Sequence, residues 1–174
     1  MGQLVVYFNH ENRKDLAHYT NQEKEKKKFD KEIAHVEKNN IPMRISDVRL
    51  LYESAKLEDK VLIRLLLLES LPIRSLGKIF VRKDSKGDYD FNDGTNIIRI
   101  NEETVIIAKP LIERNISNGD KGLLGISSTR QIETRIHAAG EKINLSYKIT
   151  PKDLRKFGYS HHPDDLIEML STAM

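Results

Sequence analysis

The sequence predicts a mostly α domain of the α+β class, with a small antiparallel sheet in its middle and a polar helical arm at its N-terminus. Three observations carry this expectation. Capped stretches of helical periodicity flank a central region on both sides. That central region holds short β-branched runs broken by turn residues. The first 41 residues are polar with scattered apolar positions, and the pattern becomes that of a packed domain from residue 42. The expected division is an arm over 1–41 and one domain over 42–174, a length that can bury an ordinary core.

In the arm, Phe29, Ile33 and Val36 fall at helical spacing and form one narrow apolar stripe, which "NNIP" at 39–42 ends because proline disfavours helix in the residue before it. Ser46 is the expected cap of a helix whose apolar face is Val48, Leu51, Tyr52 and Ala55. "LEDKVLIRLLLLESL" is apolar nearly all round, which predicts a central buried helix, interrupted by Pro72. "FVRKDSKGDYDF" reads as a hairpin turning at Ser85-Lys86-Gly87. "NIIRI" and "TVIIAK", separated by "NEE", read as a second hairpin.

Helical signals then return. Ser128 with Gln131 has capping-box spacing before "IETRIHAAG", and Gly140 is the expected C′ residue of that helix. Thr150 with Asp153, and Pro151 at the first helical position, start the helix that contains "KDLRKF". Pro163, Asp164 and Asp165 start a last helix, "DDLIEML". The predicted order is two helices, a small sheet, then three helices.

Composition excludes several classes. With 39% apolar and 32% charged residues the chain is neither disordered nor membrane-embedded. The longest apolar run, Leu65 to Leu68, is far short of the roughly 20 residues that cross a bilayer. The absence of cysteine removes disulfides and thiolate metal sites and favours an intracellular, cytoplasmic setting, the host cytoplasm if the chain is viral. The N-terminus has no signal-peptide layout, and "MGQLVV" lacks the Ser/Thr of a myristoylation signal. There is no Gly-rich phosphate loop, no HExxH and no Ser or Cys nucleophile motif. The six histidines show no ligand spacing beyond the adjacent pair His161-His162, so neither a metal nor a cofactor is expected.

Net charge is only +3, but basic residues cluster at 24–31, 78–86 and 148–156, the uneven layout of a nucleic-acid footprint. The run "EKEKKKFDKE" is read more simply as a solvated helix face, because its acids and bases intermix. Two arginines stand in apolar contexts: Arg74 after the buried helix, and Arg155 one turn into a capped helix beside Leu154 and Phe157. A guanidinium held at a core edge needs a partner, and its planar fork matches a phosphate bidentately. Either arginine could instead pair with a carboxylate such as Glu69.

Taken together, these stretches resemble tyrosine recombinases, the phage-type integrases. "LLLLESLPIRSLGKI" looks like the first-arginine box of that family, and "ITPKDLRKF" is similar to its second, with Lys152 where a histidine is usual, as in some archaeal-virus integrases. The "LLGISSTRQIETRIHAAG" helix lies between them in the family's order, and "IPMRISDVRLLYESAK" resembles the start of the catalytic domain. The resemblance covers about 42–170 and none of the first 40 residues. It implies a recombinase-like core in which Arg74 and Arg155 clamp a DNA phosphate and offset transition-state charge. Lys152 would be the auxiliary proton donor.

The family's nucleophilic tyrosine, which would form a covalent phosphotyrosine with the DNA, falls beyond Met174. Tyr159 lies too early, on the same helix as Arg155, and so do His161 and His162. The family's hairpin lysine is also missing: Asn101, Glu102 and Glu103 occupy the expected turn, with Lys86 or Lys109 as substitutes. The expected activity is therefore binding to double-stranded DNA without cleavage, through Arg74, Lys78, Lys86, Lys109, Lys152, Arg155 and Lys156. Partners would be DNA, with a second copy of the chain or a recombinase beside it, and no membrane. The alternatives are an active site-specific recombinase completed by a missing or in-trans C-terminal segment, and a helical protein-interaction module whose arginines brace the core.

Overall fold

In the computed structural model, which describes residues 43–69 and 71–171 together with Lys24, Lys26 and Lys27, the helix expected to be buried all round is the centre of the fold. This helix, α2 (Leu57–Leu68), buries every residue from Val61 to Leu67. The other helices are α1 (Ile45–Ser54), α3 (Ile73–Leu76), α4 (Glu102–Ser117), α5 (Thr129–Lys142), α6 (Pro151–Ser160) and α7 (Pro163–Ser171), and each of them packs on α2. Its first-turn acids suit the helix N-terminus and are also tied to neighbours. Glu58 pairs with Arg114 of α4 at 2.9 Å and Asp59 with Arg135 of α5 at 2.7 Å. The helix ends where Glu69 turns extended, φ −99° and ψ 133°. Lys24, Lys26 and Lys27 are helical, and the rest of the arm expected over 1–41 lies outside the described residues.

The sheet is three-stranded and antiparallel in the order β1 (Phe80–Lys83), β2 (Tyr89–Asn92), β3 (Ile97–Ile98). Its register aligns Val81, Phe91 and Ile98 as one inner row, and all three are buried. The turn between β1 and β2 is built as the sequence implies. The Asp84 carboxylate accepts from the Lys86 and Asp88 amides at 2.8 and 2.9 Å, and Gly87 supplies the positive φ of 93°.

The second expected hairpin does not form. Only Ile97 and Ile98 pair with β2, and "TVIIAK" lies inside α4. Asn101 is the cap of that helix, its side chain accepting from the Glu103 amide at 3.0 Å, and Glu102 and Glu103 are its first-turn acids rather than a hairpin turn. Thr104, Ala108, Leu111 and Ile112 make the buried stripe at i, i+4, i+7 and i+8, so tertiary packing overrides the β preference of Val105, Ile106 and Ile107. Ile106 is left 63% exposed as a result.

Two other expectations need correction. The cap of α1 is Arg44, not Ser46: its amide donates to Asp47 Oδ2 at 3.2 Å, and Ser46 falls inside the first turn. Helix α5 continues through Gly140 to Lys142, and the left-handed C′ position belongs to Asn144, φ 54°. The Leu145 amide donates to the Gly140 carbonyl and the Asn144 amide to the Glu141 carbonyl, which is the Schellman closure. Gly140 is required for a different reason, since a Cβ there would lie 2.6 Å from Ile149 Cγ2. The Ser128–Gln131 and Thr150–Asp153 caps form as expected, with the Ser128 and Thr150 hydroxyls accepting from the Gln131 and Asp153 amides.

Candidate nucleic-acid interface

Arg155 is positioned by the way α6 meets α2. Gly158, one turn further along the helix, lies so close to Leu67 that no side chain fits between the two backbones. The approach buries Leu154, Phe157 and Gly158, and leaves Arg155 only 7% exposed. Its guanidinium donates to the Tyr159 hydroxyl at 3.3 Å and lies 5.8 Å from the centroid of that ring. Lys26 places its ammonium 5.7 Å from the same centroid, so two cations share the Tyr159 ring. His161, the C-cap of α6, stacks on Phe157 with centroids 4.0 Å apart.

The remaining expected residues differ in setting. Lys152 is exposed in the first turn of α6, and Lys156 is half-buried. Arg74, expected at a core edge, is exposed on the short helix α3, with Lys78 exposed just beyond it. Lys86 is exposed in the β1–β2 turn, and Arg82 and Lys83 of the same 78–86 basic cluster are exposed on β1. Lys109 is exposed on α4 and so cannot serve as a hairpin lysine. Arg155 with Tyr159 therefore forms a semi-buried pair, while Arg74, Lys78, Lys86, Lys109 and Lys152 lie exposed at the surface. Among the described residues no group of three or more His, Asp or Glu could hold a metal ion. No described helix is long and apolar enough to cross a membrane.

The most deeply buried charge is one that sequence reasoning passed over. Arg64, inside the apolar run of α2, is 0% exposed. Its Nε donates to Thr104 Oγ1 at 3.1 Å and its Nη2 to Glu103 Oε2 at 3.2 Å, while Nη1 is buried with no hydrogen-bond partner. Ser171, at the end of α7, donates to the same Glu103 oxygen at 3.3 Å. Glu69 is half-buried beside this cluster and accepts from the Asn101 amide at 2.7 Å. Burial pushes its carboxyl up to about 7, against the opposing pull of the Asn101 amide and of Arg64. A signal existed: a helix apolar on all sides has no solvent face, so a lone charge within it must be paired internally.

An open cleft of about 480 Å³ lies between α5 and residues 148–151. Arg130, His137 and Lys148 line it together with Glu133 and Glu141, so its charge is mixed. The chain matches no protein-family model, no curated protein and no solved structure. Fold and site together define a mostly helical protein with a small antiparallel sheet, a semi-buried arginine–tyrosine pair and exposed basic side chains on several elements.

Proposed function

We propose that the protein binds double-stranded DNA through its phosphates on a core of the tyrosine recombinase type, with Arg74 and Arg155 as the gripping arginines and Lys152 beside them. The observation that carries this reading is the Arg155–Tyr159 arrangement on a capped, tightly seated helix. A guanidinium is fixed there by packing and bonded to the Tyr159 hydroxyl, with exposed Lys152 nearly one turn earlier on the same helix. Fixing the fork in advance reduces the ordering cost of binding a phosphate.

The test is a duplex titration between roughly 50 and 200 mM salt, where log K falls by about 0.9 for each phosphate neutralised. Arg74→Gln and Lys152→Gln alter exposed side chains, so the fold is kept while the slope becomes shallower. Arg155→Lys keeps the charge and loses the fork, which weakens binding without removing a charge. Unchanged affinity and slope in all three variants would overturn the reading. The catalytic version, in which a tyrosine from a further segment or another chain attacks the phosphorus, is tested with a nicked suicide duplex that traps a covalent adduct. Salt-insensitive or absent DNA binding together with a stable oligomer would instead mark an interaction module.

A further inference from the structure

We propose that Lys26, from the N-terminal arm, is a further phosphate-binding residue, held beside Arg155 by the ring of Tyr159. The inference rests on the DNA-binding reading above and adds to it a contact from outside the packed domain.

Tyr159 is a point where arm and domain meet directly. The Lys26 ammonium lies 5.7 Å from the centre of its ring, and the Arg155 guanidinium 5.8 Å from the same point. Arg155 also donates to the Tyr159 hydroxyl at 3.3 Å. One aromatic side chain therefore gathers two cations that stand far apart in the sequence. A ring attracts a cation through its quadrupole but carries no net charge to cancel it. Lys26 is exposed and has no carboxylate partner among the described residues, so its charge stays open to an anion from solvent. Two like charges beside one ring repel each other, and a phosphate reached by both turns that repulsion into attraction.

The surroundings carry the same sign. Lys152, Arg155, Lys156 and Tyr159 recur at i, i+3, i+4 and i+7, which places three cations and the ring on one face of α6. The one acid of that helix, Asp153, is occupied by the Thr150 amide and hydroxyl at 2.8 and 2.6 Å. Lys24 and Lys27, helical and exposed like Lys26, extend the positive charge along the arm. An anion that answers this layout carries charge at intervals along its length, as a nucleic-acid backbone does. The arm's basic run, which reads in the sequence as a solvated face, thus touches the domain at the side chain that holds Arg155.

The experiment uses the full chain and the duplex of the salt titration. Lys26→Gln lowers affinity about eightfold at 0.1 M salt and makes the slope of log K shallower by about 0.9, the loss of one phosphate. Lys24→Gln and Lys27→Gln remove an equal charge without touching Tyr159, and each costs less than about twofold through the screened field alone. Tyr159→Phe keeps the ring, and Lys26→Gln retains its cost in that background. Tyr159→Leu removes the ring, and the cost of Lys26→Gln falls to that of its two neighbours. Proton NMR reads the contact without DNA: the Tyr159 ring shifts the Lys26 ε-methylene protons upfield in the parent and in Tyr159→Phe, and the shift is lost in Tyr159→Leu. Equal losses at positions 24, 26 and 27, affinity and slope unchanged by Lys26→Gln, or a Lys26 cost that survives Tyr159→Leu would overturn the inference and leave salt-dependent DNA binding in place. Absence of duplex binding at every salt concentration would overturn both.

Discussion

Replacing Gly158 with alanine tests the contact that seats the candidate site. A Cβ at Gly158 would fall on the carbonyl oxygen of Leu67, 2.8 Å from its carbonyl carbon and 2.9 Å from its Cα. All three are main-chain atoms of α2, so no rotamer change relieves the clash, and α6 must move away as a unit. Leu154 and Phe157 leave their places in the core with it. Overpacking costs about 1–3 kcal/mol, and partly unburying two large side chains brings the expected loss to about 3–4 kcal/mol. For a chain of this length that is a fall in Tm of about 10 °C. Urea unfolding followed by circular dichroism measures it. Helix propensity alone predicts the opposite sign, since alanine in a helix interior is better than glycine by about 1 kcal/mol. Gly119→Ala is the control: with φ +74° and open space around it, it costs only backbone strain of about 1 kcal/mol. A Gly158→Ala protein as stable as the parent would refute the close approach of α6 to α2.

Thr150→Ala removes the hydroxyl that donates to Asp153 Oδ2 at 2.6 Å and accepts from its amide at 3.3 Å, and lowers unfolding stability by about 1 kcal/mol in urea denaturation. Thr104→Val keeps the shape but leaves the buried Nε of Arg64 without its acceptor; the expected loss is about 1–3 kcal/mol by thermal unfolding, and Thr104→Ser recovers most of it. Stability should also depend on pH through Glu69. Its folded value of about 7 lies above the ordinary 4.5, so in that interval the folded chain holds a proton the unfolded chain has lost. Stability therefore declines as pH rises from 4.5 to 7 and is flat in this component above it, by about 2 kcal/mol for a half-buried group. Glu69→Gln removes that slope, and a slope unchanged in the variant would assign it to another group.

The elements legible in the sequence are those whose signal is local. The Thr150–Asp153 box with Pro151, the Ser128 cap and the Asp84–Asp88 turn each form because the stabilising atoms lie within four residues of one another. The all-round apolarity of 61–67 likewise gave the burial of α2 directly. What misled was meaning that depends on partners. Val105, Ile106 and Ile107 favour strand locally, and only the docking of Thr104, Ala108, Leu111 and Ile112 on α2 makes that segment helical. The Asn101 cap with two following acids was the available clue. Gly140 looks like a helix terminator, but its lack of a side chain serves Ile149, across the loop. At the candidate site, Arg155 proved buried as its neighbours Leu154 and Phe157 suggest, whereas Arg74 is exposed although its sequence neighbours are apolar. Four residues of helix are too few to turn every position toward the core. Arg64 went unnoticed because its partners Glu103 and Thr104 are some forty positions away.

With all six other described helices leaning on α2, none of them can detach without stripping the same central rod. The amide protons of residues 62–67 should be the last to exchange with deuterated water, doing so only when the whole domain opens, so their protection reads out the global unfolding free energy. Brief proteolysis should follow the same rule, leaving intact protein and small peptides with no stable half-molecule between them.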